Sequence, residues 1–308
     1  MLRQMEFKRI IPELITLNIL INCYCHLGQM NFAFSVFAKI FKIGDHPTTV
    51  TLSTLIIGLC LNGKVQESLN FHDHVIARGF RLNEVSYGTL INGLCKMGET
   101  KEALRMLKQI EGRLVDTNVV MYSTVIDRLC KDKRVNDAYE LYSEMITKGI
   151  SPTLVTFNSL IHGFCIVGRF KEAFGLFREM VLKNINPDIY TFSILVDVLC
   201  KEGKIKEAKN VIAVMMKEGV EPTVVTYNSL MDGYCLVNEV NKAKHVFNII
   251  GKMEVMPIVN SYNILINGLC KIRMVDEALN LFTEMHCKPS TVTYNSLIDG
   301  LCKSGKSF

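Results

Sequence analysis

Eleven cysteines are the residues of this 308-residue chain best suited to chemistry, whether as disulfide partners, metal ligands or nucleophiles. Their spacing decides among these uses. Cys25, Cys60, Cys95, Cys130, Cys165, Cys200, Cys235 and Cys270 follow one another at steps of 35 residues, and Cys302 comes 32 later; only Cys23 and Cys287 stand outside the series. A metal or disulfide needs thiols brought together, as in C-x-x-C. Single thiols at a fixed long step mark equivalent buried positions in a repeated unit, each acting as a small hydrophobe. His72 and His74 point to different faces of an expected helix and do not suit one metal, and Cys23 with Cys25 has the same fault. The carboxylates Glu102, Glu172, Glu207 and Glu277 read as solvated second-helix faces, and no H-x-E joined to C-x-x-C deaminase signature occurs. The residues call for no metal, no cofactor and no catalysis.

The elements that carry these positions follow from the prolines. Pro12, Pro47, Pro152, Pro187, Pro222, Pro257 and Pro289 each lie 13 residues before a cysteine of the series. Placing the boundary one residue after each proline gives repeats at 14–48, 49–83, 84–118, 119–153, 154–188, 189–223, 224–258 and 259–290. A partial repeat (a second helix) fills 1–13 and another (a first helix) fills 291–308, leaving nothing for a second domain. In eight of nine units, Ser or Thr as third residue is expected to cap a first helix: Thr16, Thr51, Ser86, Thr156, Thr191, Thr226, Ser261 and Thr293. Apolar residues recur at helical spacing, as in Tyr227, Leu230, Met231 and Tyr234. Gly28, Gly63, Gly98, Gly168, Gly203 and Gly305, with Asn238 once, would end that helix in a left-handed residue. A small twentieth residue (Ala33, Ser68, Ala103, Ala138, Ala173, Ala208, Ala243, Ala278) lets the second helix approach closely, and proline is expected to stop it. The product is an all-α solenoid in which each hairpin touches only its neighbours.

Composition agrees. Hydrophobic residues make up 49%, enough for an extended core, and the net charge of +5 is compatible with nucleic acid without arguing for it. No window approaches the ~18 apolar residues of a membrane span, and MLRQMEFKRI has neither an apolar signal region nor an organelle presequence.

Segments such as VVTYNSLMDGYCLVNEVNKAKHVF (224–247) and TVTYNSLIDGLCKSGK (291–306) resemble the pentatricopeptide repeat family along the whole chain. Uninterrupted 35-residue units resemble its pure class, and LIDGLCKSGK is similar to the restorer-of-fertility-like branch of plants. The resemblance implies a right-handed superhelix of antiparallel helix-turn-helix repeats that binds single-stranded organellar RNA, one base per repeat. It implies a mitochondrial location, with a plastid as the lesser alternative. It also leaves open a recruited nuclease or other processing protein as partner, and protection, processing or translational control as outcome.

In the family the fifth and last residues of a repeat face the base. Mapped here, the pairs are Asn18 with Thr48, Ser53 with Asn83, Gly88 with Asn118, Ser123 with Thr153, Asn158 with Asp188, Ser193 with Thr223, Asn228 with Ile258, and Asn263 with Ser290, followed by Asn295 alone. An Asn amide both donates and accepts and can meet a pyrimidine edge, whereas Ser or Gly leaves room for a purine. Asp188 would accept the imino hydrogen of uracil. The implied site is 5′-pyrimidine-A-A-purine-U-purine-pyrimidine-C-pyrimidine-3′. The second residues, Ile15, Val50, Val85, Val120, Val155, Tyr190, Val225 and Val292, would pack against base faces, with Asn260 the exception. The alternative for them is packing against the neighbouring repeat.

Lys96, Lys131, Lys201, Lys271 and Lys303 follow the series cysteines and form a row suited to phosphates, interrupted by Leu61, Ile166 and Leu236. The alternative is a solvated helix end where cations favour the dipole. Two further readings compete with RNA binding: a peptide-binding scaffold like the 34-residue tetratricopeptide solenoids, and a truncated, non-functional relative lacking polar end caps.

Overall fold

The structure, a computed structural model, describes residues 12–110, 115–252 and 257–305. Most of the expected 1–13 element, residues 1–11, and the last three residues of 291–308 lie outside the described residues. Seventeen helices and no strand occur among them. The first helices are Leu14–His26, Thr49–Leu61, Glu84–Met97, Val119–Lys131, Leu154–Ile166, Ile189–Lys201, Val224–Leu236, Val259–Lys271 and Thr291–Ser304. The second helices are Met30–Lys42, Val65–Ala77, Thr100–Ile110, Val135–Thr147, Phe170–Leu182, Ile205–Lys217, Val240–Lys252 and Val275–Thr283, the last short because its repeat is. The chain forms two compact units, 1–163 and 164–308, whose division falls inside Leu154–Ile166. Each unit is built hairpin on hairpin. In the first, Leu17, Ile21 and Cys25 meet Ala33, Val36 and Ile40 of their own hairpin and Leu55 and Leu59 of the next. The second carries the equivalent layers from Val196 to Leu297.

The first helices begin three residues earlier than caps at the hydroxyls would place them. The N-cap is the last residue of the preceding repeat, and the third residue is its reciprocal partner. The Thr51 N–H donates to Thr48 Oγ1, while the Thr48 N–H donates to Thr51 Oγ1 at 3.2 Å. At Asp188 the Thr191 N–H donates to Oδ1 at 2.8 Å and the Asp188 N–H donates to Thr191 Oγ1 at 3.2 Å. Two orphan helix-start donors are satisfied by one such pair.

The stops differ from expectation as well. Five second helices end at a left-handed residue in the thirty-first position (Gly44, Gly79, Gly149, Asn184, Gly219), ahead of the proline in every case but Gly79, which Leu82 follows. Proline three residues on only holds the chain extended toward the next cap. After the first helices the glycines and Asn238 take positive φ as expected, but Lys133 (φ 61°) and Arg273 (φ 64°) take it too. Their side chains gave no sign of that conformation, so the helix-ending position is set by the hairpin as a whole.

The cysteine series is buried for a reason the cysteines alone did not reveal. Six of the thiols press on the tenth residue of the next repeat, which is glycine there: Gly58, Gly93, Gly163, Gly233, Gly268 and Gly300. A Cβ on Gly268 would stand 2.5 Å from Cys235 Sγ, and one on Gly163 would stand 2.5 Å from Cys130 Sγ. Cys302, last of the series, is exposed, and Cys60 is only half-buried, so the equivalence is not complete. Gly268→Ala should therefore cost about 1–3 kcal/mol by overpacking. Cys235→Ala should relieve it, because the nearest remaining atom would be Cβ at 3.2 Å. A urea double-mutant cycle checks this: the double variant should be at least as stable as Gly268→Ala alone.

Candidate nucleic-acid interface

The thiols are inert by position. Burial pushes Cys95, Cys130, Cys165 and Cys200 up to about 12 and Cys235 to about 11, leaving essentially no thiolate at neutral pH. Among the described residues no three His, Cys, Asp or Glu side chains come together as a metal cluster, and no helix is long and apolar enough to cross a membrane. His72 binds Asp73 through Nδ1 and stacks edge-on to Tyr87, whereas His74 is turned to the Asn70 carbonyl.

The fifth residues sit on the first helices beside the cap of the next repeat. Ser53, Ser123, Asn158 and Asn228 are buried, Asn18, Gly88, Ser193 and Asn263 are half-buried, and Asn295 is exposed. Fifth and last residues meet directly: Ser53 Oγ donates to Asn83 Oδ1 at 3.3 Å, and Asn263 Nδ2 donates to Ser290 Oγ at 3.2 Å. The other last residues are engaged as caps. Asn118 Oδ1 accepts from the Val120 and Met121 N–H groups, each at 3.1 Å, while its Nδ2 donates to Glu84 at 3.3 Å. Thr153 and Thr223 each donate an N–H to the hydroxyl three residues on. Ile258 does the same to Ser261 at 3.3 Å, with an exposed apolar side chain at the place of a polar one.

The second residues stand largely in the open. Ile15, Val50, Val85, Val120, Val155, Tyr190, Val225 and Val292 are 52–69% exposed, and Asn260 is exposed as well. Apolar side chains that far out at one repeated position leave a row of contact surface. Two cavities open between successive members. One, of about 480 Å³, lies in the first unit between Val120 and Val155, with Ser123 and Thr153 on its walls. The other, of about 400 Å³, lies in the second unit, bounded by Val225, Asn260 and Val292 and walled by Asn228, Ile258 and Asn263. Each is large enough for a planar, base-sized group.

In that second cavity one side chain is out of balance. Asn228 is 3% exposed, and among the described residues neither its Oδ1 nor its Nδ2 has a hydrogen-bond partner. A buried amide with both ends unmet costs several kcal/mol unless something completes it.

The lysine row splits in two. Lys131, Lys201 and Lys303 are bound to Asp127, Asp197 and Asp299 one turn back, at 2.6, 2.6 and 2.7 Å. Ser159 and Ser229 of the next repeats donate to Asp127 and Asp197, each at 3.3 Å. Lys96 and Lys271 have Asn92 and Asn267 at the corresponding place, and no ion pair reaches them among the described residues. These ninth residues escaped the sequence reading, although an Asp four before a Lys on a helix is a visible pairing signal.

The profile of the PPR repeat family matches residues 12–61 and, in overlapping units, 117–303; related PPR repeat profiles match 50–80 and 78–111. The chain belongs to the pentatricopeptide repeat family. Among curated relatives, two pentatricopeptide repeat-containing proteins of Arabidopsis thaliana are each 47% identical over 45 residues, and one of them is named mitochondrial. Those matches cover 15% of this pentatricopeptide repeat chain and 7% of each relative. Among solved structures, the pentatricopeptide repeat protein PPR10 in complex with an 18-nt psaJ RNA element superposes with a TM-score of 0.83 at 23% identity. That match covers 98% of this chain and 45% of the other. PPR10 from maize gives a TM-score of 0.61 at 18% identity over 99% of this chain and 58% of the other. The likeness fixes the fold as an α-solenoid of helical hairpins.

Proposed function

We propose that this pentatricopeptide repeat chain binds single-stranded RNA by sequence, one base per repeat, with units 14–48 to 259–290 and the half-unit 291–308 as the reading modules. The carrying observation is Asn228: a buried amide with a donor and an acceptor unmet, at the edge of a base-sized cavity bounded by second residues. A nucleobase edge offers a donor and an acceptor side by side, whereas an extended peptide offers them singly and alternately. The exposed apolar second residues supply faces between which bases can sit, and Tyr190 adds a stacking surface of about 1–3 kcal/mol. Solved RNA-bound PPR10 shares the fold, and the name of an Arabidopsis relative supports a mitochondrial setting. The chain acts by occupancy rather than by catalysis, in organellar RNA processing, stability or translation, with any cutting done by a recruited nuclease.

The test is anisotropy with a nine-letter RNA, 5′-pyrimidine-A-A-purine-U-purine-pyrimidine-C-pyrimidine-3′. Changing the fifth letter from uracil to cytosine opposite repeat 154–188 places an acceptor against Asp188. That mismatch leaves a buried acceptor unmet at about 1–3 kcal/mol, so affinity should fall about tenfold or more. Equal affinity for both letters would count against the register. A pull-down partner that survives ribonuclease, with no RNA recovered, would replace this reading by a peptide scaffold.

A further inference from the structure

The geometry points to the third residue of each repeat as the group that orients the base-reading fifth residue of the repeat before it. This rests on the RNA reading above and names a residue that the fifth-and-last pairing leaves out.

The observation recurs in both units. Thr51 Oγ1 donates to Asn18 Oδ1 at 2.8 Å, and Thr293 Oγ1 donates to Asn263 Oδ1 at 2.6 Å. Ser53 meets Ser86 at 2.5 Å, Ser123 meets Thr156 at 2.8 Å, and Ser193 meets Thr226 at 3.3 Å, hydroxyl to hydroxyl. All five third residues are fully buried. Such a hydroxyl takes the N–H of the N-cap residue on one lone pair, as Thr51 does from Thr48 and Thr293 does from Ser290. Its proton is then available to the neighbouring repeat. When that neighbour is Asn, the proton claims Oδ1 and fixes which way the amide faces, leaving Nδ2 as the end that reads; at Asn263 one Nδ2 hydrogen goes to Ser290 and the other remains for a base. A free amide can turn over and present either end; a tethered one presents a donor.

The sequence carries the same coupling. Of the third residues in 49–290 and in the closing half-unit, only Met121 lacks a hydroxyl, and it follows the only fifth residue without a polar side chain, Gly88. Nothing needs orienting there. Asn228 is the natural contrast: Ser261 accepts from the Ile258 N–H, yet its hydroxyl is not bound to Asn228, and the amide stays unpartnered. Repeat 224–258 thus has a reading amide that is not held.

The experiment compares these two neighbouring repeats in the full chain. Anisotropy is read with nine-letter RNAs in which the eighth letter (opposite Asn263) or the seventh (opposite Asn228) is each of the four bases. Thr293→Val keeps the shape and removes the hydroxyl; it should cut discrimination at the eighth letter about fivefold or more and leave the fifth letter unaffected. Thr293→Ser should restore it. Ser261→Ala removes an equivalent cap partner and should leave the seventh letter as it was, which separates orientation from mere loss of a cap. If Asn263→Ala abolishes eighth-letter discrimination and Thr293→Val does not, the orienting role is wrong and the RNA reading stands. If Asn263→Ala changes nothing either, both fall. A measurement without RNA guards against a Thr293→Val chain that does not fold. In the NMR spectrum of the folded, RNA-free chain the Asn263 side-chain amide should exchange with solvent faster in Thr293→Val than in the wild type, and equal rates overturn the proposal.

Discussion

Raising the pH from 9 to 11 is expected to unfold this chain, with the steepest loss in residues 164–308. Cys165, Cys200 and Cys235 are buried there, the last two against Gly233 and Gly268 of the following repeats, and burial lifts the three from an ordinary 9.0 to about 12, 12 and 11. A folded-state value above the unfolded one means that the folded chain keeps protons the unfolded chain gives up. The stabilisation is fully present below the unfolded value near 9 and is lost as pH climbs through the folded values near 11 to 12. One pH unit across a single such thiol is worth about 1.4 kcal/mol, so three together remove about 4 kcal/mol by pH 10. Against an ordinary stability of about 5–15 kcal/mol, the unit should be largely unfolded by pH 11.

Circular dichroism during urea titration at pH 7, 9, 10 and 10.5 measures the slope. Tyr and Lys titrate in the same window, so the control is the chain itself. Cys165→Ala, Cys200→Ala and Cys235→Ala combined should be less stable at pH 7, by the lost packing, and markedly flatter above pH 9. A triple variant with the same alkaline slope as the wild type would show that the thiols do not govern it. A thiol chosen for its size at one interface becomes, at each buried member of the series, a shared alkaline weakness.

What the amino-acid sequence disclosed about this architecture was whatever the 35-residue period repeats. The two helices per unit, the small Ala at the twentieth position and the turn after the cysteine all appear where spacing puts them, because each is fixed by contacts inside one hairpin. What escaped was partnership between hairpins. Gly268 looks like any glycine until Cys235 is found against it, and Thr293 looks like a helix cap until its proton is found on Asn263. Such pairs lie some thirty residues apart, one repeat on, and a period by itself cannot say which face of one unit meets which face of the next. The left-handed Lys133 and Arg273 were hidden for a related reason: the hairpin imposes the conformation, and side chains that dislike it follow. At the candidate site the fifth residues were legible as a restricted set of small polar groups, whereas the unmet amide of Asn228 exists only in three dimensions.

Converting Asp127, Asp197 and Asp299 to Asn is expected to strengthen RNA binding and steepen its salt dependence. In the wild-type chain these carboxylates hold Lys131, Lys201 and Lys303 on the first helices, which carry the proposed reading residues, so each lysine would reach a phosphate only by giving up its Asp. Lys96 and Lys271, beside Asn92 and Asn267, carry no such tie among the described residues. The pairs are partly exposed, and such pairs contribute only about 0–1 kcal/mol each to folding, so breaking them should leave stability nearly unchanged. For binding the change is larger, because a lysine freed to neutralise a phosphate releases a counterion. On single strands that is worth about 0.7 in the slope of log affinity against log salt per phosphate. Three freed lysines should add about 2 to that slope and raise affinity roughly 10- to 100-fold at low salt. The single variants sharpen the point: Lys96→Ala and Lys271→Ala should lower the wild-type slope, whereas Lys131→Ala, already neutralised by Asp127, should scarcely move it. Anisotropy titrations between low and physiological salt distinguish the cases, and a triple variant whose slope matches the wild type would mean that these lysines never face the RNA backbone. The carboxylates would then serve the solenoid alone. Otherwise they lower general affinity for RNA, so that binding depends on the bases opposite Asn158, Asn228 and their counterparts rather than on charge.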